Sequence, residues 1–148
     1  MLIAAVVVPS FQPSGARVQG EQDTLELRLV VPPQVRVGQE VAMRLLVRNR
    51  TGRTLDLYLR GRAITFDVIV ARDSGAEVWR RLEGEVIPAV LQVHTLRPGE
   101  QIEAGASWNQ RRRGGELVQP GRYRARALLL VEAGVIETPA VSFRITDR

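Results

Sequence analysis

Apolar side chains recur at every second position in segment after segment of this chain, a spacing that only an extended strand turns into a single apolar face. Leu25, Leu27, Leu29 and Val31 alternate with Thr24, Glu26 and Arg28, and Pro32-Pro33 closes the run because proline cannot donate to a ladder. Val41, Met43, Leu45 and Val47 repeat the pattern, and the turn residues Asn49-Arg50-Thr51-Gly52 lead to Leu55, Leu57 and Leu59. Residues 90–96 and 101–108 predict two further strands around Pro98-Gly99. Tyr123, Ala125, Ala127, Leu129 and Val131 alternate with Arg122, Arg124 and Arg126, and a last strand carries Val141, Phe143 and Ile145 inward. That makes about eight or nine short strands with turn signals every roughly 8–12 residues, the pattern of an all-β antiparallel sandwich of two sheets.

The segment from Ile64 to Arg81 is the most specific of these. Phe66, Val68 and Val70 form its apolar face, with Asp67 and Ile69 on the other, and Asp73-Ser74-Gly75 suits a tight hairpin loop. The return strand ends near Trp79. Trp79 and Trp108 each end a strand and are expected to close the core of a chain poor in aromatic residues. Tyr123, just after Pro120-Gly121, has the placement of a tyrosine corner, whose hydroxyl bonds upstream backbone.

At 148 residues the chain is long enough for one ordinary domain, expected over residues 24–148 and preceded by a Pro-, Gly- and Ser-containing lead-in over residues 1–23. It has no cysteine, so no disulfide, thiolate metal site or cysteine nucleophile is available, which suits a reducing compartment. Every one of its 21 basic residues is arginine, against 16 acidic residues, for a net charge of +5. No stretch places aromatic residues as a base-stacking platform, so no nucleic acid is expected as a partner. The run Leu2-Ile3-Ala4-Ala5-Val6-Val7-Val8 ends at Pro9, far short of the roughly 20 residues needed to span a bilayer. It reads as an edge strand or as the remnant of a signal segment.

Chemistry-bearing residues are few. His94 is the single histidine, expected on the outward face of its strand, with no nucleophile-elbow serine near it in sequence. No His or carboxylate cluster has metal-ligand spacing, and no glycine-rich phosphate loop opens a helix. The expectation is a protein that is not an enzyme, with no catalytic residues, metal or cofactor. Asn49-Arg50-Thr51 matches a glycosylation acceptor but reads as turn chemistry. The triplet Arg111-Arg112-Arg113, followed by Gly114-Gly115, lies in the longest loop-like interval; it reads as a solvated tip or as a flexible contact surface, easily cut.

An ordered set of segments carries a family resemblance: Val47-Arg48-Asn49, Leu55-Asp56-Leu57-Tyr58-Leu59, Ile64-Thr65-Phe66-Asp67-Val68, Gly75-Ala76-Glu77-Val78-Trp79-Arg80, Pro98-Gly99-Glu100, Trp108 and Pro120-Gly121-Arg122-Tyr123. Over about residues 40 to 131 the chain resembles the BsuPI-type intracellular proteinase inhibitors. The resemblance implies an immunoglobulin-like sandwich, structural roles for Asn49, Phe66, Trp79, Pro98, Gly99, Trp108, Pro120, Gly121 and Tyr123, and inhibition of an intracellular subtilisin-like serine protease as partner. After Trp79 the chain departs from the family's serine, glycine and aromatic pattern with Arg81-Leu82-Glu83-Gly84-Glu85, and the residues before Thr24 have no counterpart. Within the 82–90 loop, Val86, Ile87, Pro88 and Ala89 are the expected protease-contact residues, with Arg111, Arg112 and Arg113 second, because an extended apolar run pairs as an added strand in a protease cleft. The expected location is cytoplasmic. A rival expectation is an immunoglobulin-like adhesion or assembly module of a bacterial envelope protein, periplasmic if the first residues are a truncated signal. Oligomeric state is left open.

Overall fold

A computed structural model describes residues 24–147. The lead-in over residues 1–23, including the apolar run, lies outside them. Eleven strands are present among the described residues: β1 (Leu25–Val30), β2 (Gln34–Arg36), β3 (Val41–Asn49), β4 (Leu55–Arg60), β5 (Phe66–Arg72), β6 (Glu77–Arg80), β7 (Leu91–Leu96), β8 (Gln101–Trp108), β9 (Gly121–Val131), β10 (Gly134–Glu137) and β11 (Val141–Thr146). Two of the short ones, β2 and β10, escape the alternation test, because three or four residues cannot display a period.

The strands form a three-stranded sheet in the order β1-β3-β8 and a larger eight-stranded sheet organised around β9. One long strand serves two sets of neighbours. Its first half pairs β11 on one side and β5 on the other, and its second half meets β10 and, at Leu59↔Val131, β4. Among the described residues β6 and β7 are therefore separate edges on the same flank, and the 82–90 loop connects them. Every pairing is antiparallel except β2 with β11. The product is the two-sheet β-sandwich that the period-two pattern requires.

The core lies between the sheets. Leu25, Leu27 and Leu29 of β1 and Val41, Met43, Leu45 and Val47 of β3 face Leu57, Leu59, Phe66, Val68, Val70, Tyr123, Ala125, Ala127, Leu129, Phe143 and Ile145. Fully burying each large member stabilises the fold by about 1.5–3 kcal/mol relative to exposure. Gly75 supplies the positive φ of 97° at the β5–β6 turn, closed by Gly75 N donating to Arg72 O at 2.8 Å.

Two expectations about faces are corrected. β5 is covered on both sides, not one: Asp67 and Ile69 are buried together with Phe66, Val68 and Val70. Ile69, Leu128 and Val135 form a second small core on the outer face, with Leu130 packed against it. The 82–90 loop folds over that face, which local alternation cannot register. His94 is half-buried on the inner side opposite Leu57, whereas Leu91 and Val93 point outward. The register with β4 settles that, since cross-strand partners share a face.

Candidate functional site

Both loops expected to make contact lie at one place, and each is held by side chains that pattern reading passes over. The 82–90 loop begins where Arg81 N donates to Val68 O at 2.9 Å and Leu82 N donates to the Asp67 carboxylate at 2.9 Å. Asp67 Oδ1 also accepts from Val68 N at 2.9 Å, and its second oxygen lies 3.6 Å from the Arg80 guanidinium. Burial pushes the Asp67 carboxyl above the usual carboxylate value of 3.8, against the opposing pull of the Leu82 N–H and Arg80. Arg81 lies over the Phe66 ring, 4.5 Å from its centroid, and donates to Phe66 O at 2.6 Å. A tight turn follows, with Glu85 N donating to Leu82 O at 3.0 Å and Gly84 at φ 77°. The loop ends where Gly61 N donates to Val90 O at 2.9 Å.

Between those fixed ends the chain is irregular. Residues 86–89 make no hydrogen bond to the other described residues. Their side chains divide: Val86 is 89% exposed, and Pro88 and Ala89 are also exposed, whereas Ile87 is half-buried. Ile87 turns toward a cavity of about 370 Å³ floored by Leu128, Leu130 and Val135. Its Cγ2 comes within 3.5 Å of where a Cβ on Gly61 would stand. Ile87 is the seat of the loop, and Val86 is its projection.

The interval 109–118 is a small hairpin. Arg111 bridges Leu117, Arg112 N donates to Glu116 O at 2.7 Å, and Gly115 N donates to Arg112 O at 2.8 Å. Arg111 reaches Gly115 O at 2.8 Å with its guanidinium. Gly115 has φ 88°, which L side chains rarely adopt. The interval expected as a solvated tip or a flexible contact surface is a bonded turn with Arg113 and Gly114 at its exposed tip. Arg113 pairs with Glu83 at 2.6 Å and joins the two loops across a groove lined by Trp79, Arg81, Glu83, Arg111 and Arg112.

Underneath, Phe143, Tyr123, Trp108 and Trp79 form a continuous row, with successive centroids 5.9, 6.2 and 5.7 Å apart. Trp108 is buried, Trp79 is half-buried and stacked on it, and Trp108 Nε1 donates to Arg111 O at 3.0 Å. The Tyr123 hydroxyl donates to Gln119 O, tying the start of β9, just after Pro120 and Gly121, to the chain before it. Burial raises the Tyr123 phenol above its ordinary value, opposed by Arg72 and Arg112. Gln110 completes the base. It is wholly buried at φ 63°, and its side chain bonds Arg36 O, Gln39 O and Gly38 N at 2.7, 2.8 and 3.1 Å. No sequence signal points to Gln110, because its partners are backbone atoms about 70 residues away in the chain.

Asn49, Pro98 and Gly99 lie at the other end of β3 from this site. Asn49 is fully buried, donates to Arg53, Leu96 and Arg97 carbonyls and accepts from Thr51 N and Oγ1. Gly99 N closes the corner on Asn49 O at 3.0 Å. With its amide so engaged, Asn49 is turn chemistry and no glycan acceptor in the folded state. Among the described residues no cluster of three or more His, Cys, Asp or Glu could hold a metal ion, and no helix is long and apolar enough to cross a membrane.

Comparison with known proteins places the chain at the level of family. Among solved structures, the chain is similar to the DNA glycosylase AlkC of Pseudomonas fluorescens, at 13% identity and a TM-score of 0.47, over 83% of this chain and 30% of that one. It is similar also to a β-glucosidase of Listeria innocua, at 14% identity and 0.45, over 82% of this chain and 16% of that one. A CARDB domain from Pyrococcus furiosus aligns at 15% identity and 0.43, over 84% of this chain and 94% of that one. The chain spans under a third of the length of the first two. No curated protein sequence matches it. A family model described as intracellular proteinase inhibitor, BsuPI, matches residues 29–134, from β1 to the start of β10 and across both loops. The chain belongs to the BsuPI family of intracellular proteinase inhibitors.

Proposed function

We propose that this protein acts without catalysis, as an inhibitor of a subtilisin-like serine protease inside the cell, and that residues 86–89 enter the protease's substrate cleft. The observation that carries the reading is a stretch whose backbone makes no hydrogen bond to the other described residues while both its ends are clamped: Leu82 on Asp67, Val90 on Gly61, with Ile87 seated between. Free N–H and C=O groups of Val86, Ile87 and Ala89 offer the hydrogen bonds that an added strand uses, and Val86 offers a side chain to a pocket. Clamping lowers the ordering cost of binding and holds a substrate-like segment against hydrolysis. Arg111–Arg113 form the neighbouring contact: Arg113 reaches Glu83, so the hairpin supports the loop from the side.

The test is a titration of an intracellular subtilisin-like protease with the purified chain, following peptide hydrolysis and checking by gel that the chain stays whole. Stoichiometric loss of activity with an intact chain is expected, and undiminished activity rejects the reading. Val86→Asp is expected to abolish inhibition while changing stability by no more than about 0.5 kcal/mol, since the side chain is solvent-exposed. Ile87→Asp is expected to lose inhibition and also unseat the loop. Full inhibition by Val86→Asp would remove the loop from the contact.

A further inference from the structure

We infer that the arginine face of the larger sheet, beside the 82–90 loop, docks on an acidic surface next to the protease's cleft, an inference that rests on the inhibitor reading. Side chains alternate along β9, and those turned away from the core run Arg122, Arg124, Arg126, Leu128 and Leu130. The 82–90 loop roofs the two leucines and leaves Arg122 and Arg124 exposed. Register with the neighbouring strands widens the arginine half. Arg144 of β11 stands opposite Arg122, and Arg36 of β2 stands opposite Thr146, diagonal to Arg144. Arg36 and Arg144 are exposed as well.

The fold itself gains nothing from this row. Like charges directly opposite on adjacent strands destabilise a sheet, and carboxylates beside them are few: Asp73 lies 3.6 Å from Arg124, and Glu137 pairs with Arg126. Among the described residues, the side chains of Arg36, Arg122 and Arg144 make no hydrogen bond or ion pair. Within residues 1–23 the carboxylates are Glu21 and Asp23, no more than three positions and so about 10 Å of chain from Thr24. Thr24 O accepts from Arg50 N just past the Asn49 end of β3, whereas Arg122 precedes Tyr123, whose ring meets Trp108 at the Val41 end. The nine residues of β3 span about 30 Å between those places, so neither carboxylate reaches the row.

An acidic protein fits this face better than a nucleic acid does. The outward cross-strand neighbours of these arginines are Gln34, Ser142 and Ala71, with no ring on which a base could stack, because Tyr123 and Phe143 of the same strands face the core. Position ties the face to the loop. From Arg122 to Leu128 is about 20 Å of strand, and a standard interface of about 800 Å² per partner is roughly 30 Å across. A partner that takes Val86 into its cleft reaches the arginines too. Exposed charges at the rim of a contact act mainly on the rate of encounter, which salt screens.

The test is the association rate of the full chain with an intracellular subtilisin-like protease, followed by stopped flow at low and high salt. Arg144→Glu is expected to slow association about fivefold at low salt, and high salt is expected to erase the difference. Arg28→Glu makes the same change of net charge on the outer face of the smaller sheet and is expected to slow association by less than about twofold. Because Arg144 stands opposite Arg122, the melting temperature of Arg144→Glu is expected to equal or exceed that of the wild type. Equal slowing by the two variants, or slowing by neither, overturns the inference and leaves the inhibitor reading standing. Slowing that comes with a lower melting temperature is structural and also overturns it. A wild type that does not inhibit overturns both readings. A labelled DNA duplex that binds the wild type and not Arg144→Glu, with protease association unchanged, assigns the face to nucleic acid and equally overturns the inference.

Discussion

Asp67 shows how much a single buried side chain decides here. Its one carboxylate accepts from Val68 and Leu82 and faces Arg80, so it fixes the point where the 82–90 loop leaves the sheet. Asp67→Ala leaves two N–H groups without an acceptor and is expected to cost about 1–3 kcal/mol, read from the shift of a urea midpoint. Because burial raises the folded pKa above 3.8, the native state binds the proton more tightly than the unfolded chain does. The contribution of Asp67 to stability is therefore greatest below the ordinary value and falls as pH rises through the folded one. Relative to Asp67→Asn, the wild type should lose ground across that window, and a pH-independent difference between the two would refute the assignment. Asn49 acts in the same way at the far end. Asn49→Asp is nearly isosteric yet brings a carboxylate up to the carbonyls of Arg53, Leu96 and Arg97 with no donor to offer, and is expected to destabilise by at least as much as Asn49→Ala, about 2–3 kcal/mol in denaturant melts. Asn49 reads correctly as a turn residue from Asn-Arg-Thr-Gly alone, because its bonds to Thr51 are local; its bonds to Leu96 and Arg97 are not, and no spacing announces them.

Among the elements, the 109–118 hairpin shows what composition leaves out. Arg111-Arg112-Arg113-Gly114-Gly115 reads as a solvated tip or a flexible contact surface, and within it Gly115 serves a single turn that needs positive φ while Arg111 is bonded across it. Gly115→Ala strains that turn and is expected to cost about 1 kcal/mol and to speed tryptic nicking at Arg112 or Arg113 several-fold, mapped by mass spectrometry of the fragments. An unchanged nicking rate would mean that the hairpin bonds do not protect the backbone. The 82–90 loop is expected from its apolar, proline-containing run to be a contact segment, yet which residue points outward is not legible. Val86 and Ile87 are adjacent and chemically alike; the hollow over Leu128, Leu130 and Val135 selects Ile87 to turn in. That hollow is assembled from β9 and β10, more than 40 positions away in the chain.

For the whole molecule, one core runs through both sheets and is joined at the loop-bearing end by the row from Phe143 to Trp79. Both tryptophans lie in that row, so their fluorescence reports this end while far-UV circular dichroism reports all strands. The two unfolding curves are expected to coincide, as a single cooperative unit requires, and a tryptophan transition well ahead of the other would show that the end opens separately. The sequence by itself determines the class of fold, the inner faces of most strands, the turns and the family, because period-two burial and turn chemistry are local and repeat along the chain. The tertiary structure alone decides which outer face is covered, that His94 looks inward, and that Glu83 meets Arg113. Those features depend on sheet order and on which loop crosses which face, and they are settled when distant segments compete for the same apolar surface.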